Sequence, residues 1–140
     1  WEGYVAEPNY LYKPGLDSGN WTAGNITTLS KESGMMIVKN TLTGGRPSIY
    51  AKKTYNLTGY SKINVDIMVT SSSVTGLVVF ECDSTGSSSS IISDVDATVS
   101  TNSRKTISVP LNNYNKTINV MLAFEGSGNR TINVYNVWLS

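Results

Sequence analysis

Two glutamates, Glu81 and Glu125, each follow a phenylalanine at the end of an apolar run. Paired carboxylates about 5 to 9 Å apart are the equipment of a glycosidase, and neighbouring strands could bring these two together. A general acid of that kind needs an enclosing cleft to raise its pKa. A chain of 140 residues, of which 15% are charged, has little wall from which to build one. The chain has no His and a single Cys. That composition removes Ser-His-Asp and Cys-His catalysis, imidazole bases, and His- or Cys-rich zinc sites. Asp17, Asp83, Asp94 and Asp96 are the candidate ligands for a calcium ion, held together with loop carbonyls, although no EF-hand spacing occurs. No other cofactor is expected. The expectation is a protein that binds and does not catalyse.

The side chains best suited to binding are aromatic. Three Trp and eight Tyr, against two Phe, include Trp1, Tyr4, Tyr10, Tyr12, Trp21, Tyr50, Tyr55, Tyr60, Tyr114, Tyr135 and Trp138. Tyr and Trp join an apolar face to a polar edge, which suits a sugar ring whose C–H groups stack while its hydroxyls are hydrogen-bonded. Trp21 lies in a Gly- and Asn-rich stretch, and it is a candidate contact together with Tyr12 and Tyr50. Trp138 and Tyr60 are assigned to the core or its rim. Two turns add polar groups: Gly44-Gly45-Arg46-Pro47, whose Arg46 is near Tyr50, and Ser127-Gly128-Asn129-Arg130, with Asn129 and Arg130. A guanidinium can fork two hydrogen bonds to vicinal hydroxyls or to a carboxylate. The competing reading makes both Arg solvated turn residues. A third candidate surface is a polar sheet face of Asn64, Asp66 and Asn119, with Met68 and Met121 adding apolar area.

The net charge is +1, and Lys52-Lys53 and Arg104-Lys105 are the only adjacent basic pairs. That is too sparse to track a nucleic-acid backbone. No apolar run reaches the roughly 20 residues that span a bilayer as a helix. Sequons begin at Asn20, Asn25, Asn56, Asn115 and Asn129, a frequency that the abundance of Asn, Ser and Thr explains by chance. Cys82 reads as a small buried hydrophobe.

The elements that must position these groups are strands. Ser, Thr and Asn make up about a third of the chain, and segments of period two recur along it. Residues 62–70 place Ile63, Val65, Ile67 and Val69 on one face; residues 117–125 do the same with Ile118, Val120, Leu122 and Phe124. Residues 76–81 are apolar on both faces, as in a central strand. Further strands are expected at 35–38, 47–51, 91–99, 105–111 and 131–139, the last with a bulge near Tyr135 and Asn136. Thr-Ile-Asn-Val at 117–120 and again at 131–134 suggests two strands of one hairpin. The first 25 residues read as irregular chain wrapping an end. Eight to ten strands at this spacing predict one domain over residues 1–140, an all-β, two-sheet antiparallel β-sandwich with jelly-roll topology. The opening at Trp1 predicts a module cut from a longer protein.

Three segments carry a resemblance. Tyr55-Asn56-Leu57-Thr58-Gly59-Tyr60-Ser61-Lys62-Ile63, the closing Asn133-Val134-Tyr135-Asn136-Val137-Trp138-Leu139, and Leu11-Tyr12-Lys13-Pro14-Gly15 with Asn20-Trp21 resemble galactose-binding-like jelly-roll domains of phage tail, baseplate and bacterial surface proteins. The resemblance implies glycan or polysaccharide recognition at a cell surface or on a virion, outside the cell, and avidity from several copies. The alternative is an assembly domain that trimerises or docks in a fibre and binds no sugar, its aromatics buried against neighbouring chains.

Overall fold

The computed structural model describes residues 9–16, 18–41 and 45–140. Trp1, Tyr4, Asp17 and Gly44, named above, lie outside the described residues. The strands are β1 (Asn9–Tyr12), β2 (Trp21–Ala23), β3 (Thr27–Glu32), β4 (Met35–Asn40), β5 (Ser48–Ala51), β6 (Tyr55–Asn56), β7 (Lys62–Ser71), β8 (Val74–Cys82), β9 (Ser88–Val99), β10 (Arg104–Pro110), β11 (Thr117–Gly126) and β12 (Thr131–Leu139). The first sheet has the order β10-β7-β12-β4-β3, with β1 also on β12; the second has β2-β5-β11-β8-β9, with β6 on β11. The pairings within both sheets are antiparallel. The chain is the all-β, two-sheet sandwich that the alternation predicts.

Period two decides which side chains meet between the sheets. Ile63, Val65, Ile67 and Val69 of β7 face Val120, Leu122 and Phe124 of β11 in one core, all without solvent exposure. Strand β8 is interior to its sheet and apolar on both faces, and Leu77, Val78 and Val79 are fully buried. In β12 the pairing with β7 slips between Val134 and Asn136. This bulge returns Val137 and Leu139 to the core side beside Ile132 and Val134, and it turns Trp138 outward, half-buried.

Three expectations are corrected. The two Thr-Ile-Asn-Val strands are not a hairpin: β11 and β12 belong to opposite sheets. Each buries its Ile and Val in the shared core, so equal sequence reflects equal burial and not pairing. Among the described residues of the N-terminal stretch, 9–12 and 21–23 are strands at sheet margins and not irregular chain. Strand β3, Thr-Thr-Leu-Ser-Lys-Glu, was not expected; it is an edge strand whose polar side chains mask its alternation.

Candidate functional site

Trp21 and Tyr12 are core residues and not ligand contacts, with 1% and 2% of their surface exposed. The indole N–H of Trp21 donates to the Leu11 carbonyl at 3.0 Å, which satisfies its one polar group inside the protein. Neither residue presents an aromatic surface to a ligand or to a second chain.

Arg130 is likewise structural, and at 1% exposure it is no solvated turn residue either. Its guanidinium donates to the carbonyls of Gly45 and Gly128, tying the β4–β5 and β11–β12 connections together. Its backbone N–H donates to Asn40 Oδ1 at 2.5 Å. Gly126, with φ +155°, makes room, since a Cβ there would stand 2.9 Å from Arg130 Cδ. Burial pushes the Arg130 pKa down. Asn129 is exposed at the same turn, and its carbonyl accepts from the Ser71 hydroxyl.

The imagined polar face of Asn64, Asp66 and Asn119 does not exist as one surface. Asn64, Asp66 and Met68 point outward from the first sheet, whereas Asn119 and Met121 point outward from the second. Asn64 is buried and engaged by Ser108, Ser140 and the Trp138 carbonyl. Asn119 donates to the carbonyls of Ala51 and Lys52.

What the structure does bring together is the outward face of the second sheet. Pairing registers place Tyr50, Met121, Phe80 and Ile91 in one row across β5, β11, β8 and β9. One step along the strands, Ser48, Ala123, Val78 and Asp94 form a second row. A further step brings Glu125, Gly76 and Asp96 into line. Rows lie about 7 Å apart and strands about 4.8 Å apart. The middle row is small, and its Val78 and Ala123 are buried; Tyr50 and Phe80 stand half-exposed, and Ile91 is 58% exposed. Arg46 is exposed and places its guanidinium 5.7 Å over the Phe80 ring. Arg46 and Tyr50 are thus the two sequence candidates that share a surface. Phe80, Ile91, Asp94 and Asp96 were missed as binding partners for them, because only the register across four strands unites them.

Carboxylates crowd one end of this face. Burial raises the Glu125 pKa, and a hydrogen bond to Asp94 with the charges of Asp94 and Asp96 raises it further, against the opposing charge of Arg46. Gly76 lets this happen: a Cβ there would meet Glu125 Oε1 at 2.7 Å. At the other end the β8–β9 turn folds back until Gly86 lies against the Tyr50 ring, where a Cβ would come within 2.5 Å. Asp83 builds that turn by accepting from Thr85 N, Thr85 Oγ1 and Ser87 N, and the Thr85 hydroxyl leads in lowering its pKa. Its carboxylate is spent on the turn. Beside the turn lies a depression of about 520 Å³ lined by Thr54, Glu81, Cys82, Asp83, Lys116, Thr117, Ile118 and Asn119. Cys82 is buried, and its thiol is pushed up to about 11 by burial and then by Asp83 and Glu81.

Glu81 and Glu125 do not form a catalytic pair. Glu81 lies opposite Val120 and Glu125 opposite Gly76, so five residues of β11 separate them, about 17 Å of strand. Glu81 is instead held by the Tyr114 hydroxyl, by Ser89 and by Lys116. Among the described residues no three His, Cys, Asp or Glu side chains converge as metal ligands.

No family model matches the chain, and no curated protein does. Solved structures do match. A point variant of CBM29-2, a family 29 carbohydrate-binding module, superposes with a TM-score of 0.64 at 14% identity, over 96% of this chain and 92% of that one. A further variant, complexed with cellulohexaose, gives 0.62 at 12% over 95% and 90%. Another, complexed with mannohexaose, gives 0.59 at 17% over 96% and 91%. The likeness is one of fold: this chain is built as the β-sandwich of a family 29 carbohydrate-binding module is built.

Proposed function

We propose that the protein is a non-catalytic carbohydrate-binding module whose site is the outward face of the second sheet. The observation that carries this reading is the row of Tyr50, Met121, Phe80 and Ile91 flanked by Arg46, Asp94 and Asp96. A sugar chain crossing the strands would stack on the Tyr50 and Phe80 rings while its hydroxyls meet the guanidinium and carboxylates. The shared fold with modules solved in complex with cellulohexaose and mannohexaose supports a neutral β-linked glycan as the ligand class. A single shallow site of this kind binds in the millimolar to micromolar range, about −4 to −8 kcal/mol. With such a ligand the module would work outside the cell, as part of a phage tail or baseplate protein or of an extracellular enzyme. Several copies there would add avidity.

Titration calorimetry with the two hexasaccharides tests the reading. Binding that falls at least about tenfold in Tyr50→Ala and in Arg46→Ala, and holds in Trp21→Phe, is the expected result. No heat from either sugar at millimolar concentration overturns the ligand class. Binding that survives both site variants overturns the site.

A further inference from the structure

The outward face of the first sheet carries an arrangement of its own. The β12 bulge sets Tyr135 and Asn136 side by side on this face. Arg104, from the edge strand β10, lies 3.9 Å over the Tyr135 ring. Its Nε and Nη2 donate to Asp66 Oδ1 and Oδ2 at 3.1 and 2.9 Å, and Asn136 Nδ2 donates to the same carboxylate at 3.0 Å. Burial alone would raise the Asp66 pKa, but the hydrogen bonds from Arg104 and Asn136 and the Arg104 charge outweigh it and hold the carboxylate ionised. A guanidinium has five N–H donors. Asp66 takes two, and the side chain is 55% exposed, so a fixed, charged donor edge faces solvent.

Two residues along β12, about 7 Å away, stands Trp138, half-buried, with the Tyr10 ring 6.1 Å from its own and tilted by 43°. The Lys13 ammonium sits 4.8 Å over Tyr10. Lys39 and Lys62 are exposed on the same face. With Lys13 and Arg104 they make, among the described residues, four cations against the carboxylates of Asp66 and Glu32. The face of the second sheet has the opposite balance, with Arg46 against Asp94, Asp96 and Glu125.

Aromatic rings beside immobilised cations suit a ligand that is both a sugar and an anion. We propose that this face is a second site, independent of the first, for a carboxylate-bearing polysaccharide. Pyranose C–H faces stack on Trp138 and Tyr10, while uronate carboxylates meet Arg104 and Lys13. The Asp66–Asn136–Tyr135 frame removes most of the entropy loss of ordering Arg104, which is the cost that weakens flexible surface cations as ligands.

Affinity electrophoresis of the full chain tests it, through gels carrying polygalacturonate, its methyl-esterified form, or polyglutamate. The expected result is retardation by polygalacturonate alone, weakened at least about tenfold by Trp138→Ala and by Arg104→Lys, which keeps the charge but loses fork and stack. Cellohexaose binding stays unchanged in both variants, which also reports that they are folded. Equal retardation by polyglutamate reduces the face to a charged surface and overturns the proposal. So does retardation that survives both variants, or none in the parent. The two faces answer to different ligands, so failure to bind hexasaccharide overturns only the reading of the second sheet.

Discussion

Trp21 offers the sharpest check on the energetics. Leu11 is the extra residue of a bulge in β1, without a partner in the pairing with β12, and it is fully buried. Its carbonyl accepts from Trp21 Nε1 at 3.0 Å and from the Tyr55 hydroxyl at 3.3 Å. Trp21→Phe removes the shorter bond and part of a buried ring. The lost bond costs about 1 kcal/mol and the smaller ring about 1 to 2 more. Tyr55→Phe removes the longer bond and the oxygen that accepts from Asn20 Nδ2 at 2.8 Å, for about 1 kcal/mol. Each single variant leaves the Leu11 carbonyl one side-chain donor; the double variant leaves it no side-chain donor. A buried carbonyl stripped of its donors costs about 1 to 3 kcal/mol, so the double variant should be destabilised by about 1 kcal/mol more than the two single variants summed. Urea unfolding of the four proteins measures this directly. A cycle additive to within about 0.4 kcal/mol refutes the shared-acceptor argument. Unchanged glycan binding in Trp21→Phe is the functional corollary, and weakened binding in a variant that remains folded would return Trp21 to the ligand.

Arg130→Ala should destabilise the protein by about 2 to 4 kcal/mol, because it empties a fully buried site and takes the donor from the half-buried carbonyls of Gly45 and Gly128; Arg130→Lys, without the fork, should recover little of it in the same denaturation assay. Gly86→Ala sets a Cβ against the Tyr50 ring at φ +83°, so it should cost about 1 kcal/mol and weaken hexasaccharide binding, while Gly59→Ala, also at positive φ but in open space, should cost stability alone. Glu125 has a raised folded pKa, so it stabilises the fold below its unfolded pKa and loses that contribution as pH rises through the folded one. Glu125→Gln should therefore raise the melting temperature at pH 7, by on the order of a degree or two for a group still partly screened by solvent, and do nothing at pH 3. A larger gain at pH 3 than at pH 7 would reverse the assigned cause.

Much of the fold could be read in the chain, because burial between two sheets imposes period two wherever a strand has one wet face. Residues 62–70 and 117–125 show it without interruption, and the phase change at Tyr135 and Asn136 located the β12 bulge. Pairing was not legible. Equal sequence at 117–120 and 131–134 means equal burial, and nothing local says that the Ser127–Arg130 connection crosses between sheets. The same limit governed the site. A Trp in a Gly- and Asn-rich stretch is exposed or buried according to what the fold lays over it, and here the Leu11 carbonyl lies within reach of the indole. Arg130 read as a sugar contact or else a solvated turn residue, and it is neither, because two connections distant in sequence meet around it.

Outward faces decide what a sandwich of this kind can bind, since its interior is filled. The core constrains only alternate positions of each strand; the others are free to vary in charge and size at little cost in stability. In this chain they are sorted by face. The second sheet sets aromatic and aliphatic side chains in one row and carboxylates toward the far end of the same face, whereas the first sets cations around Trp138 and Tyr135. Solubility alone asks for mixed charges and few exposed rings. Half-exposed rings beside ordered charges on both faces go beyond that requirement. Structural use accounts for Asn64 and Asn119, whose amides are consumed by the frame. It does not account for Arg46, which lies exposed over Phe80, or for the solvent-facing edge of Arg104. Those two guanidiniums, one on each face, are the side chains on which the two proposed sites stand or fall.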